Sequence, residues 1–155
     1  MNKTKFIELA AETNENMPFY VRSMILRELS KTPKTLKDAK ILFLGAAFKK
    51  NVDDTRHSPA IRVMELMIAE GAKNVYFSDP FVNEILINNK KYKSKPLTQK
   101  LLKDSHIVVI TTDHDCYDYD LIVKNSKCII DTRNATKRVK NKGKNVKIKL
   151  LGDGK

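Results

Sequence analysis

From residue 40 onward the sequence alternates short apolar runs with amphipathic segments, and this alternation restricts the fold more than any other feature. The first run, "KILFLG", predicts a buried strand. A helix is predicted from Ser58 to Glu70, because Ser58 suits the N-cap and Pro59 the first helical position. Further strands are predicted in "NVYFSDP", "HIVVITTD", "CIIDTRN" and "NVKIKLLGDG", and short helices in "LTQKLLKDS" and "YDYDLIVKNS". This order predicts an α/β fold with a mostly parallel sheet and helices on both faces. Residues 81–96 hold only short pieces and a lysine-rich turn.

The first 30 residues follow a different pattern, with apolar side chains at helical spacing. Pro18 lies inside this region, where it either opens a second helix or kinks a longer one. The polar run "SKTPKTLKDAK" then marks a boundary. We therefore expect a helical segment over residues 1–34 and the main α/β domain over residues 35–155.

Composition limits the class of protein. Forty-one per cent hydrophobic and 31% charged residues are typical of a globular chain. Lysine and arginine total 30 against 18 acids, and a net charge of +12 favours acidic partners such as phosphates, whether of a nucleic acid or of a nucleotide. Two cysteines are too few for a disulfide framework. We expect a cytoplasmic protein, since no signal-peptide core and no membrane-spanning apolar run is present in the sequence.

The loop between the first strand and the Ser58 helix is the first candidate site. Such loops usually have about two to six residues, whereas this one runs from Gly45 to His57. It lacks the G-x-G-x-x-G fingerprint of dinucleotide sites, but its cations could hold a phosphate beside the positive end of the helix. The alternative is a solvated loop with local ion pairs, and the residues alone do not decide. The charged residues of the loop are Lys49, Lys50, Asp53, Asp54 and Arg56.

Polar residues at other strand ends add to this site, because ligands bind at the carboxyl ends of parallel strands. Arg133 in "DTRN" should point into the same crevice as Lys49, and two cations from different strands suit a diphosphate. The alternative is a buried arginine paired with Asp131. Asp79 could bond ribose hydroxyls, but a turn-forming role before Pro80 is favoured.

Two further stretches are weaker candidates. In "TTDHDCYDYD" the potential metal ligands are contiguous rather than spaced to converge, so we expect no metal site. Cys116 has no evident base partner, which argues against a catalytic nucleophile, and Cys128 suits the core. The basic stretch from Lys137 to Lys149 could bind nucleic acid, but it lacks interleaved aromatic residues, and a solvated basic turn with an edge strand is favoured.

These motifs together resemble a known family. Residues 44–82, "LGAAFKKNVDDTRHSPAIRVMELMIAEGAKNVYFSDPFV", are similar to the start of the C-terminal domain of UDP-glucose and GDP-mannose dehydrogenases. "TTDHDCYDYD", "IIDTRN" and "LLGDG" resemble later motifs of that domain, in the same order, and "ETNENMPFYVRSMI" resembles the end of the central domain that precedes it. Within the family, the likeness is greatest to UDP-N-acetylmannosamine dehydrogenases.

The resemblance implies a Rossmann-like three-layer αβα domain that binds the nucleotide diphosphate of a UDP-sugar. Family members oxidise the sugar C6 alcohol to a uronic acid with NAD, in polysaccharide biosynthesis. By motif position, Phe48, Lys49 and Arg133 would contact the nucleotide-sugar, and Arg56 would reach the NAD pyrophosphate. Residues 1–34 would end the central dimerisation domain, so the resemblance implies a homodimer.

The departures from the family pattern are also informative. The N-terminal NAD-binding domain and the catalytic cysteine in its Cys-x-Pro-Lys context are absent from the sequence. His57 stands where the family often has Glu. The resemblance therefore implies a chain that corresponds to the last third of such an enzyme, has no catalytic residue of its own and is inactive alone. NAD would be bound mainly by missing N-terminal dehydrogenase domains, which are possible partners. The alternative hypothesis is a non-enzymatic basic module that binds nucleic acid through the lysine-rich stretch.

Overall fold

The computed structural model describes the backbone of residues 3–151 and the side chains of residues 16–151. The elements are α1 (Lys3–Ser30), β1 (Lys40–Leu44), α2 (Pro59–Ala69), β2 (Asn74–Ser78), β3 (Glu84–Ile87), β4 (Lys90–Lys93), α3 (Gln99–Asp104), β5 (Ile107–Ile110), α4 (Tyr119–Asn125), β6 (Cys128–Asp131), a 3₁₀ helix (Ala135–Arg138) and β7 (Lys147–Leu150). They confirm the predicted alternation. Residues 152–154 of the predicted last strand lie outside the described residues.

A five-stranded sheet forms the centre of the molecule, in the order β2-β1-β5-β6-β7, and every neighbouring pair is parallel. The predicted α/β architecture is therefore confirmed. The chain adds β2 on one side of β1 and β5 on the other, so the order of strands reverses between β1 and β5. In open parallel sheets, ligands bind in the crevice outside the carboxyl ends of the strands at such a point.

Alternate residues of each strand face opposite layers of helices. Ile41 and Phe43 of β1 lie in one core cluster, which includes side chains of α1 and α2. Leu42 and Leu44 lie in a second cluster with side chains of α3 and α4. Because strand side chains alternate with a period of two, the continuous apolar run of β1 supplies both cores.

Helix α1 passes through Pro18 without interruption, so the possibility that this proline opens a separate helix is wrong. The helix packs on α2 and contacts β5 and β6, and its Ile25 is fully buried in the core that it shares with the sheet. Glu28, which is 4% exposed, forms ion pairs with Lys31 Nζ at 3.0 Å and with Lys147 Nζ at 2.8 Å. Helix α1 is thus joined to the edge strand β7. The division of the chain at residue 34 stays a prediction.

The segment that showed no clear pattern in the sequence forms a β-hairpin. β3 and β4 pair antiparallel, and the turn between them is Asn88-Asn89. Both asparagines have positive φ, 52° and 64°. A two-residue hairpin turn of type I′ requires this conformation at both central positions, and asparagine tolerates it well.

Candidate functional site

A cleft of about 790 Å³ lies at the carboxyl end of the sheet. Its walls come from α1, the N-terminus of α2, and the loops after β1 and β6. The lining residues are Met17, Pro18, Phe19, Phe48, Lys49, His57, Ser58, Pro59, Arg62, Thr132 and Arg133. The cleft therefore brings together three of the predicted site residues, Phe48, Lys49 and Arg133.

The loop after β1 begins at a position that only glycine can occupy. Gly45 has a φ of +97°, and a Cβ there would lie 2.3 Å from Cβ of Thr112. Its N–H donates to the Ser78 carbonyl at 3.0 Å. The backbone is thus packed directly against the neighbouring strand end, and the loop leaves the sheet in a defined direction.

Asp79 holds the next two residues of this loop. The side chain is fully buried, and its Oδ2 accepts the backbone N–H groups of Ala46 at 2.8 Å and Ala47 at 3.2 Å. Its Oδ1 accepts those of Phe81 at 2.8 Å and Val82 at 3.2 Å. The favoured turn-forming role of Asp79 is confirmed. Because both oxygens are occupied by backbone donors, the ribose role has no support.

His114 extends the same network and is fully buried. Its Nδ1 accepts the Asn51 N–H at 2.8 Å, and its Nε2 lies 3.0 Å from Asp79 Oδ2. Since Nδ1 accepts, the ring proton belongs on Nε2, where it is donated to the carboxylate. Asn51 itself has a φ of 63°. His114 therefore fixes the middle of the loop. Among the side chains of residues 16–151, no group of three His, Cys, Asp or Glu residues could hold a metal ion.

Arg133 enters the cleft from the loop after β6. Its Nε donates to the Thr111 carbonyl at 3.2 Å and its Nη2 to the Phe48 carbonyl at 3.4 Å. No carboxylate among the described side chains forms an ion pair with it. Asp131 instead accepts the Arg133 backbone N–H at 3.0 Å, and its other oxygen accepts both donors of Thr136. The alternative of a buried arginine paired with Asp131 is therefore wrong.

Lys49 is the second cation of the cleft without an acidic partner in the described part of the chain. Its Nζ lies 5.9 Å from the centroid of the Phe48 ring. Phe48 is 39% exposed and is held by its N–H, which donates to the Asp54 carbonyl at 2.7 Å. Two unpaired cations and a half-exposed aromatic ring give this cleft a positive, partly apolar surface.

The other two cations of the loop are paired with carboxylates. Arg56 donates to both oxygens of Asp54 at 3.0 Å, and its side chain is 83% exposed. These hydrogen bonds lower the pKa of Asp54 to about 2 and raise the pKa of Arg56. Lys50 lies 3.7 Å from Asp115. The alternative of local ion pairs thus holds for Arg56, whereas Lys50 pairs with a residue of another loop. Arg56 is outside the cleft lining, and its role toward NAD stays a prediction.

Helix α1 forms one wall of the cleft, and the sequence did not predict this. Phe19 is 38% exposed, and the guanidinium carbons of Arg22 and Arg62 lie 5.2 and 5.8 Å from its ring centroid. Arg22 also pairs with Glu70 at 3.4 Å. The helical spacing predicted α1 itself, but no local signal indicates that this helix folds back onto α2.

A second cleft, of about 470 Å³, lies beyond the carboxyl end of β2. Its lining includes Asp79, Ser94 and Tyr117. Their polar atoms already bond within the protein: Ser94 Oγ contacts the Asp79 backbone, and the Tyr117 hydroxyl donates to the Ser78 carbonyl at 2.8 Å. We therefore place the candidate site in the first cleft.

Comparison with known proteins identifies the family. The model of the UDP-binding domain of the UDP-glucose/GDP-mannose dehydrogenase family matches residues 42–138. The chain belongs to the UDP-glucose/GDP-mannose dehydrogenase family. The resemblance seen in the sequence is thereby confirmed. The matched range includes the candidate residues of the β1–α2 loop and of the strand end at Arg133.

Relatives agree with this assignment. The chain is 36% identical to a UDP-N-acetyl-D-mannosamine dehydrogenase of Methanococcus maripaludis, over 99% of its own length and 36% of the relative's. Among solved structures, the UDP-D-ManNAc dehydrogenase of Pyrococcus horikoshii aligns with a TM-score of 0.75 and 29% identity, over 96% of this chain and 34% of that one. The UDP-N-acetyl-mannosamine dehydrogenase of Staphylococcus aureus aligns with a TM-score of 0.73 and 26% identity, over 98% and 34%.

The chain thus spans about a third of the length of the curated relatives it matches. None of the helices among the described residues is long and apolar enough to cross a membrane.

Proposed function

We propose that this chain is the C-terminal UDP-binding domain of an NAD-dependent UDP-sugar dehydrogenase, and that it holds the diphosphate of the sugar nucleotide. One observation carries the proposal. Lys49 and Arg133, from the ends of two different strands, line one cleft beside the N-terminus of α2. Neither forms an ion pair with a described carboxylate. The family assignment supports a UDP ligand for this cleft.

The geometry suits a diphosphate. Arg133 is oriented by the carbonyls of Thr111 and Phe48 through Nε and one terminal nitrogen, which leaves further N–H donors for phosphate oxygens. Lys49 supplies a mobile point charge. Phe48, which is half-exposed, offers an apolar surface to the nucleotide. These three residues keep the roles that the motif positions imply.

The turn after β1 does not fit the pyrophosphate of a dinucleotide. A single glycine is present, and the space above it is filled by Thr112. This chain matches about a third of the length of its relatives. NAD would therefore be held mainly by domains in the remaining two thirds. Arg56 is exposed on the loop and would reach the NAD pyrophosphate from there. The relatives' names point to UDP-N-acetylmannosamine as the sugar nucleotide. Oxidation at C6 and assembly as a homodimer belong to the same proposal.

Titration calorimetry of the chain with UDP tests the site. A charge-assisted hydrogen bond contributes about 1.5–3 kcal/mol, so Lys49→Ala and Arg133→Ala should each raise the Kd for UDP about 10- to 100-fold. Lys100→Ala is the matched control, because Lys100 is an exposed lysine of α3 on the opposite face of the sheet. Absence of binding at millimolar UDP, or equal Kd values for all three variants, would contradict the proposal.

Nucleic-acid binding by the basic stretch gains no support. Two of its cations already pair within the protein: Arg138 lies 3.8 Å from Asp113 and 3.6 Å from Asp115, and Lys147 bonds Glu28. The family assignment favours a nucleotide over a nucleic acid.

A further inference from the structure

Ser58 occupies the N-cap of α2 but does not cap it. Its backbone has the extended conformation of an N-cap, with φ −68° and ψ 121°, yet its side chain accepts no hydrogen bond from the first turn. The other two α-helices of the main domain are capped in the usual way. Thr98 accepts the Leu101 N–H, and Asp118 accepts the Leu121 N–H, both at 3.1 Å.

The hydroxyl of Ser58 also lacks every other partner among the side chains and backbone that the structure describes. The residue is only 5% exposed. A buried polar group without a partner is destabilising, and native proteins rarely keep one without a reason. A serine hydroxyl that neither caps its helix nor bonds elsewhere is therefore available to form a hydrogen bond with a ligand.

The position of Ser58 indicates which ligand. Ser58 lines the same cleft as Lys49 and Arg133. The first N–H groups of a helix have no partner within the helix, and the helix dipole makes this end partly positive. Pro59, which has no N–H, stands at the first helical position, so the unpaired donors begin at Ala60. A phosphate is the anion that such a helix end binds best.

We propose that the Ser58 hydroxyl and the first-turn N–H groups of α2 form a phosphate subsite, which takes one phosphate of the bound nucleoside diphosphate while Lys49 and Arg133 neutralise its charge. This inference rests on the proposed function.

Calorimetric titration with UDP and with inorganic pyrophosphate, combined with thermal unfolding, tests the subsite. Ser58→Ala should raise the Kd for both ligands about tenfold, the loss expected for one hydrogen bond to a charged group. The melting temperature should not fall, because no capping bond is lost. Ser58→Gly, which costs an N-cap only slightly, should weaken binding equally. Thr98→Ala is the matched control: it removes a formed cap on α3, so it should lower the melting temperature and leave both Kd values unchanged.

The outcomes separate the two proposals. If the Ser58 variants bind UDP and pyrophosphate as the wild type does while Arg133→Ala does not, the subsite is wrong and the proposed function stands. A Ser58→Ala variant that melts lower but binds normally shows an ordinary cap and also overturns the subsite. If the wild type binds neither ligand, the proposed function fails, and the subsite with it.

Discussion

Replacement of Asp79 by asparagine should strongly destabilise the protein, although the two side chains have nearly the same shape. Asp79 is buried and accepts four backbone hydrogen bonds, two on each oxygen. Oδ2 receives the N–H groups of Ala46 and Ala47, and Oδ1 those of Phe81 and Val82. An amide has one acceptor oxygen and one donor nitrogen. In either orientation, the –NH₂ group of Asp79→Asn faces at least two N–H donors.

The magnitude follows from this count. Hydrogen bonds to a charged group contribute about 1.5–3 kcal/mol each, so the loss of two lowers the free energy of unfolding by about 3–6 kcal/mol. His114 offers no relief. Its Nε2 could accept from the new amide only in the other tautomer, but Nδ1 must then give up the Asn51 N–H. The loss is a large part of the 5–15 kcal/mol that typically stabilises a domain.

Urea unfolding followed by circular dichroism measures the effect. The matched control is Asp53→Asn, because Asp53 lies exposed in the same loop and forms no hydrogen bond or ion pair with a described side chain. This control should change stability by less than about 0.5 kcal/mol. An Asp79→Asn loss as small as that of the control would refute the view that Asp79 organises the loop.

Two further changes test how the site is positioned. Gly45→Ala adds the strain of positive φ, about 1–2 kcal/mol, and a clash with Thr112 of about 1–3 kcal/mol. In urea unfolding it should lower the free energy of unfolding more than the control Gly71→Ala does. At Gly71 φ is also positive, but no atom lies within 4 Å of the added Cβ. For Glu28, burial raises the pKa, but hydrogen bonds from two neighbouring lysines outweigh it and lower the pKa below its ordinary value of 4.5. The stabilisation by ionised Glu28 is therefore fully present above pH 4.5 and is lost as pH falls through the lower folded pKa. Glu28→Gln should make the free energy of unfolding depend less on pH in that range. An unchanged pH profile would contradict this.

The fold was predictable from the sequence because its main signals are local. The strand of β1 is a continuous apolar run, and α2 begins at Ser-Pro and ends before Gly71, whose φ is +114°. The hairpin was missed because its turn is Asn-Asn rather than a glycine pair, and three lysines obscure its alternation. The exposed strand β4, "KKYK", has almost no apolar face to detect.

The candidate site was predictable only in part, since its charges are visible in the sequence but their pairing is not. Lys49, Lys50 and Arg56 look equivalent, yet only Lys49 lines the cleft. Arg56 pairs with Asp54, two residues before it, whereas Lys50 pairs with Asp115, which is far away in the chain on the loop after β5. The Ser58 hydroxyl was predicted as a cap from its residue type, and only the structure shows that the capping bond is absent.

The length of the β1–α2 loop has a physical explanation in its anchors. Ala46 and Ala47 are fixed by Asp79, Phe48 by the backbone of Asp54, and Asn51 by His114. Lys49 therefore lies between backbone positions that are held on both sides, despite its exposed side chain. Ordering a flexible loop opposes binding, and a loop ordered in advance avoids that cost. A loop of ordinary length could connect the strand to the helix, but it could not reach His114 and still present Lys49 beside the start of α2.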